Sequence, residues 1–311
     1  MMGVAAIMIV LCHSLLPPSI NYGHPAIKFL LVQGNRGVDI FLLVSGIGIY
    51  FSLEKFFNDN SNRIWMWYKK RLMRIMPIYL LLATVYYMLT GIRDHNLTLS
   101  SLAASVSTYH YWMGGSGFWY IAVLIPLYFI SPLYYKCLNK LKYKFIFTVF
   151  ISSSILLIPI LGIKSISIFA RCVPFFIGFY FGYVIKTGES IGWGKIIFSI
   201  VSAICIIKLL FPDNTYYEWL FIFPLILFLP SLFQRNKTIS KGSTWLGKRS
   251  LEIYLCNGIL MVAVSFIDWS RFPIVFHYGN YFRYSIVIAM CIILADLSYN
   301  LKNTFNLDKK S

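Results

Sequence analysis

The sequence predicts an all-α fold, a polytopic bundle of about ten transmembrane helices with both termini in the cytoplasm. Three observations lead there. Of 311 residues, 58% are hydrophobic and only 13% charged, whereas a soluble domain carries about a quarter charged residues. Apolar runs recur at the length a membrane demands, since ~30 Å of hydrocarbon is crossed at ~1.5 Å per residue. Lysine and arginine then alternate in density from one inter-span segment to the next.

The spans are expected near 1–17, 37–53, 74–92, 117–136, 144–162, 166–186, 194–212, 216–233, 250–268 and 280–301. The first, MMGVAAIMIVLCHSLLPP, is apolar or small up to Leu16 apart from His13 and Ser14, and Pro17 and Pro18 stop it. Backbone groups in lipid must be bonded within their own segment, so each span is a helix. No polar tail or linker is long enough for a second soluble domain, which makes 1–311 one integral membrane domain. The opening residues lack the basic n-region and small-residue cleavage site of a removable signal. No internal repeat stands out.

The net charge of +17 could point to nucleic acid, but its distribution excludes that partner. With the N-terminus inside, the segments on that side hold 20 of the 28 Lys and Arg residues, the basic stretches 69–74, 136–144 and 235–249 among them. This is the positive-inside bias, an orientation signal. Six cysteines (12, 137, 172, 205, 256, 291) fall mostly within spans, form no C-x-x-C and read as small core hydrophobes. No metal-ligand pattern occurs.

Titratable groups inside spans are costly, and so become functional candidates. They are His13, Asp39, Arg171, Lys208, Glu252 and Asp296, with Asn257 as an uncharged companion. Lys208 is expected to snorkel from the outer end of its span, and Asp296 to pair with a loop lysine. Arg171 and Glu252 read either as a structural pair between helices or as parts of a site. Asp39 stands next to Arg36, so a local ion pair competes with chemistry. His13 lies toward the outer half of the first helix, where it either hydrogen-bonds across helices or performs chemistry.

Zinc, nucleotide and serine-hydrolase motifs (H-E-x-x-H, G-x-x-x-x-G-K-[ST], G-x-S-x-G) are absent. The glycines of MGGSGFWY (113–120) are expected to make a turn leading into a span. Around them Tyr109, Tyr111, Trp112, Phe118, Trp119 and Tyr120 form either an interfacial aromatic belt or a platform for the apolar faces of sugar rings. In the basic segment NRIWMWYKKRLMRIMPIYL, Arg71 and Arg74 share one helical face. Two guanidiniums there either anchor lipid headgroups or bind phosphates bidentately.

Five segments in order resemble the acyltransferase family 3 membrane proteins, which acylate cell-surface sugars. They are GVAAIMIVLCH (3–13), NRGVDIFLLVSGIGIYFSL (35–53), YKKRLMRIMPIYL (68–80), FWYIAVLIPLYFISPLYY (118–135) and LGKRSLEIYLCN (246–257). The resemblance implies a multi-pass protein of the bacterial inner membrane, in contact with its lipids, that takes acetyl from cytoplasmic acetyl-CoA. The acceptor implied is a hydroxyl of a surface polysaccharide or lipid-linked saccharide. His13 matches the histidine regarded as catalytic, and Arg71 and Arg74 match a motif linked to donor binding. Two positions depart from the pattern. Met2 stands where family members usually carry an arginine, ~16 Å from His13 on the same helix face. A role in holding donor phosphate would then pass to Arg36 or Arg71. Asn257 stands where many members have a second histidine.

The chemistry expected of the resemblance suits an imidazole. A base is needed to take the hydroxyl proton as the thioester carbonyl is attacked, and histidine titrates near operating pH. Alternatively the ring takes the acyl group and passes it outward. Asp39 or Glu252 is the candidate to orient the ring, and Trp112, Trp119, Tyr120 and Asn257 are candidates for substrate contact. Two other classes compete: a transporter or flippase of lipid-linked saccharides, and a catalytically inactive relative with a structural or partner-binding role.

Overall fold

A computed structural model describes residues 1–14, 33–59, 63–157, 171–189, 236–267, 271 and 280–307. Among the described residues all regular structure is helical, as it must be where lipid cannot satisfy a backbone. The helices are α1 (Met2–Ser14), α2 (Gly37–Asn58), α3 (Ile64–Arg93), α4 (Leu99–Val106), α5 (Tyr109–Trp112), α6 (Trp119–Lys140), α7 (Lys144–Leu157), α8 (Val173–Thr187), α9 (Lys237–Lys248), α10 (Ser250–Ser265) and α11 (Asn280–Leu307). A 3₁₀ turn, Gln33–Arg36, leads into α2.

Length and composition allow four segments to cross a membrane: Gly34–Asn58, Ile64–Arg93, Trp119–Lys140 and Ser285–Lys302. Met2–His13, Lys144–Ile155, Val173–Thr187 and Ser250–Ser265 are shorter apolar helices. The expected spans near 194–212 and 216–233 lie outside the described residues. α9 falls between expected spans, in a stretch read from the sequence only as a basic loop. Gly114 and Gly117, both with positive φ, turn the chain before α6, which accounts for the glycines of MGGSGFWY.

The chain divides into two compact units, one of Met1–Val38, Lys69–Ala122 and Asn236–Ser311, the other of Asp39–Tyr68 and Val123–Arg235. In the first, α1 packs against the 3₁₀ turn, α9, α10 and α11. Small residues let the backbones approach. A Cβ at Gly3 would lie 2.9 Å from Leu246 Cβ, and one at Gly34 or Gly37 would meet Cys12 Cβ or Ile9 Cγ1 at 2.8 Å. Membrane helices associate by such close packing, because lipid removes the usual hydrophobic drive.

The same device recurs within the second unit. Gly46 of α2 presses on the Phe175 carbonyl, Gly178 of α8 on the Leu43 carbonyl, and Gly182 on the Tyr50 ring. Near one end of this helix pair, Glu54 accepts a hydrogen bond from the Tyr135 hydroxyl and lies 3.3 Å from Lys186 Nζ. Cys12, Cys172, Cys256 and Cys291 are buried, as core hydrophobes should be, and Cys137 is half-buried. Cys205 lies outside the described residues.

Candidate active site

α1 is apolar along its length and carries one titratable side chain near its end, His13. The small residues Gly3, Gly34 and Gly37 hold this helix close to its neighbours. Across from it, α10 presents Asn257, whose Nδ2 stands 2.7 Å from His13 Nδ1. Asn257 is 1% exposed, and among the described residues its Oδ1 has no hydrogen-bond partner. His13 is half-buried. A neutral imidazole held at Nδ1 directs its other nitrogen away from the contact, and which of the two nitrogens carries the proton depends on the end of the amide that Nδ1 meets.

Asn257 belongs to a face of α10 that also carries Tyr254 and Gly258, at the three- and four-residue spacing that places side chains together. Tyr254 meets the Tyr120 ring at 5.5 Å and the Phe118 ring at 5.6 Å, both edge-on or tilted. A Cβ at Gly258 would be 2.8 Å from Phe118 Cε1, so the absence of a side chain there seats the Phe118 ring. Phe118 also lies 4.5 Å from the Tyr86 ring, and its backbone N–H donates to the Tyr87 hydroxyl at 3.2 Å. The aromatic stretch around residue 112 therefore divides. Phe118 and Tyr120 are core residues beside Tyr254, Trp112 and Trp119 are half-buried, and Tyr109 is exposed.

The charged candidates are mostly paired. Glu252, 1% exposed, accepts from Lys302 Nζ at 3.0 Å. Arg249 donates through Nε to Asp296, and its guanidinium stacks 4.1 Å from the Trp245 ring and 4.5 Å from Tyr299. In the second unit the fully buried Asp39 has Arg171 Nε at 3.9 Å. Two expectations are thereby corrected. Arg171 and Glu252 are not each other's partners, because Lys302 and Asp39 occupy them. Asp296 pairs with Arg249, a residue at the α9–α10 junction, rather than with a lysine. Lys302 and Tyr254 had not been singled out, since neither a late lysine in a helix nor a tyrosine among twenty-two carries a signal until its neighbours are known.

Arg36 is buried in the 3₁₀ turn beside α1. Arg71 is half-buried and Arg74 exposed, one turn apart on α3. Among the described residues no three His, Cys, Asp or Glu side chains gather as a metal site would require. Lys208 lies outside the described residues. The structure thus brings His13 together with Asn257, and Tyr120 with Tyr254 on the same helix, while Glu252 is engaged by Lys302.

The sequence model of acyltransferase family 3, described as an acyltransferase domain, matches residues 2–300. Comparison with curated proteins finds no match, and comparison with solved structures finds none.

Proposed function

The chain belongs to acyltransferase family 3, and from that premise we propose that it is a membrane-embedded O-acyltransferase that moves acetyl from acetyl-CoA to a hydroxyl of a surface polysaccharide or lipid-linked saccharide. The observation that carries the reading is the His13–Asn257 contact at 2.7 Å between two apolar helices. A titratable ring in an apolar membrane helix is a functional candidate by default, and acyl transfer uses an imidazole as its base.

His13 Nε2 takes the acceptor's hydroxyl proton as its oxygen attacks the thioester carbon. The C–O bond forms, the C–S bond breaks, and the proton passes from Nε2 to the leaving sulfur as the thiol of coenzyme A. If the ring itself carries the acyl group, Nε2 forms the C–N bond as the C–S bond breaks and coenzyme A leaves as its thiolate. The hydroxyl oxygen then forms the C–O bond as the C–N bond breaks, its proton passing to the freed Nε2 and on to the thiolate. A labelled acyl-protein that builds up when acceptor is withheld separates the second route from the first. Arg71 and Arg74 suit the donor's phosphates, since guanidiniums bind phosphate bidentately. Bacterial inner-membrane placement and cytoplasmic termini accompany the reading, supported by the 20-of-28 bias of Lys and Arg toward one side.

A transport reading needs charged groups lining a path, whereas Glu252, Asp296 and Asp39 each face a cation within the fold. Membrane vesicles given labelled acetyl-CoA test the proposal. Wild type should transfer label to a glycan, and His13→Ala or His13→Gln should lower the rate by ~10²-fold or more at normal abundance. Energised glycan movement without transfer would favour the transporter. A silent wild type would mark an inactive relative, and an active His13→Gln would make His13 a structural hydrogen-bonder.

A further inference from the structure

An imidazole can act as a base at Nε2 only when its proton sits on Nδ1, so whatever touches Nδ1 chooses the reactive form. Here that partner is an amide with a donor at one end and an acceptor at the other. In the arrangement found, Asn257 Nδ2 faces His13 Nδ1 at 2.7 Å. Nδ2 can only donate, so Nδ1 accepts, and the ring proton lies on Nε2. That form is inert toward a hydroxyl proton. Asn257 Oδ1, meanwhile, is buried with no hydrogen-bond partner among the described residues. A half-turn of the amide brings Oδ1 onto Nδ1 and moves the ring proton to Nδ1, which donates to it. Nδ2 gives up its contact in exchange, so each orientation of the amide goes with one tautomer of the ring. Nε2 then holds the lone pair that takes a proton or attacks a carbonyl.

We propose that Asn257 is a positioning residue that acts through His13, its amide selecting between a resting Nε2–H form and a base-competent Nδ1–H form of the ring. This rests on the acyl-transfer reading of His13 and assigns Asn257 a role other than substrate contact. Burial enforces the match, because an amide only 1% exposed cannot turn to solvent when ring and amide present two donors or two acceptors to each other. The same atoms serve the whole turnover. Oδ1 accepts from Nδ1–H while Nε2 receives the hydroxyl proton, and it keeps that bond until Nε2 delivers the proton to the leaving sulfur. A carboxylate in place of the amide would hold the competent form permanently, whereas an apolar isostere would hold neither.

The experiment uses full-length protein labelled with ¹⁵N-histidine in lipid nanodiscs, the His13 resonances being those lost in His13→Ala. Wild type should show His13 with both nitrogens sampling protonated and lone-pair states. Asn257→Asp should collapse that exchange, leaving Nδ1 protonated. Identical His13 spectra in wild type and Asn257→Asp would overturn the proposal. In transfer assays Asn257→Leu should lower kcat about tenfold or more, a loss expected of a wrongly protonated histidine, with KM for donor and acceptor little changed. In the His13→Ala background it should lower kcat no further. A raised acceptor KM at normal kcat, or losses that multiply in the double variant, would make Asn257 a substrate contact and overturn the proposal. Should His13→Ala remain active, the catalytic role of His13 fails alone, and the spectra still decide whether Asn257 sets the ring's proton.

Discussion

Replacing Gly34 by alanine should disable His13 without touching it. A Cβ at Gly34 lies 2.8 Å from Cys12 Cβ and closer still to the Met8 carbonyl oxygen, both on α1. Carbon pairs rest at about 3.5–4.0 Å, so α1 and the 3₁₀ turn must part by at least ~0.7 Å. The Met8 oxygen is backbone and has no rotamer to swing aside. Cys12 immediately precedes His13, so the displacement is delivered to the residue proposed to react. Overpacking of this kind costs about 1–3 kcal/mol, and a ~1 Å misplacement of a reacting group costs about 10²-fold in rate. The variant should therefore show a lowered apparent Tm in detergent and a kcat reduced well beyond any loss of abundance. Gly37→Ala should behave similarly, since its Cβ would be 2.8 Å from Ile9 Cγ1. Gly242→Ala is the control: nothing stands within 4 Å of its Cβ, and it lies exposed inside α9. That change should leave turnover alone and stabilise α9 by about 0.5–1 kcal/mol. Full turnover and unchanged Tm in Gly34→Ala would refute the claim that close packing of α1 fixes the site.

Two further outcomes follow from the charges. Lys302→Met leaves the Glu252 carboxylate buried without its ammonium and should cost about 3–5 kcal/mol in detergent unfolding, most of it recovered in Glu252→Gln/Lys302→Met; wild-type stability in the single variant would mean the pair carries no structural load. Arg71→Gln/Arg74→Gln should raise the apparent KM for acetyl-CoA well above any change for the acceptor, and equal effects on both substrates would reduce the two arginines to anchors at the membrane surface.

Hydropathy made most of the helices legible, because an apolar run of membrane length can satisfy its backbone in one way only. Of the helices it missed, α4, α5 and α9, the last shows why. Its lysines at 237, 241 and 248 lie on one side and Ile239 and Leu246 on the other, so averaging over a window erases the contrast and leaves the appearance of a polar loop. A 3.6-residue reading of the same stretch would have found it. His13 was legible as a residue out of place. Its partner was not, since Asn257 lies 244 positions away and no periodicity links two contacting helices across such a separation. The ion pairs failed for a related reason. Arg171 and Glu252 were matched by sign, whereas packing matched Glu252 with Lys302 and Arg171 with Asp39.

The same packing bears on Met2, which stands where the family usually has an arginine. Met2 is half-buried at the start of α1, and a Cβ added to Gly247 of α9 would lie 3.4 Å from Met2 Cβ. Gly3 presses on Ser243 and Leu246 of the same helix. At 100° per residue, Ser243, Leu246 and Gly247 share the side of α9 that meets α1, and Lys237, Lys241 and Lys248 fall on the other. The first turn of α1 is thus part of a close helix–helix seam, with no lysine of α9 turned toward it. An apolar side chain suits that seam, and a cation does not become available there merely because a basic helix is adjacent. On the acyl-CoA reading, the donor's phosphates must then be met by cations held elsewhere. Arg71 and Arg74, one turn apart on α3, are the proposed source, since guanidiniums carry the forked donors that phosphate favours, with Arg36, buried in the turn beside α1, as the other candidate.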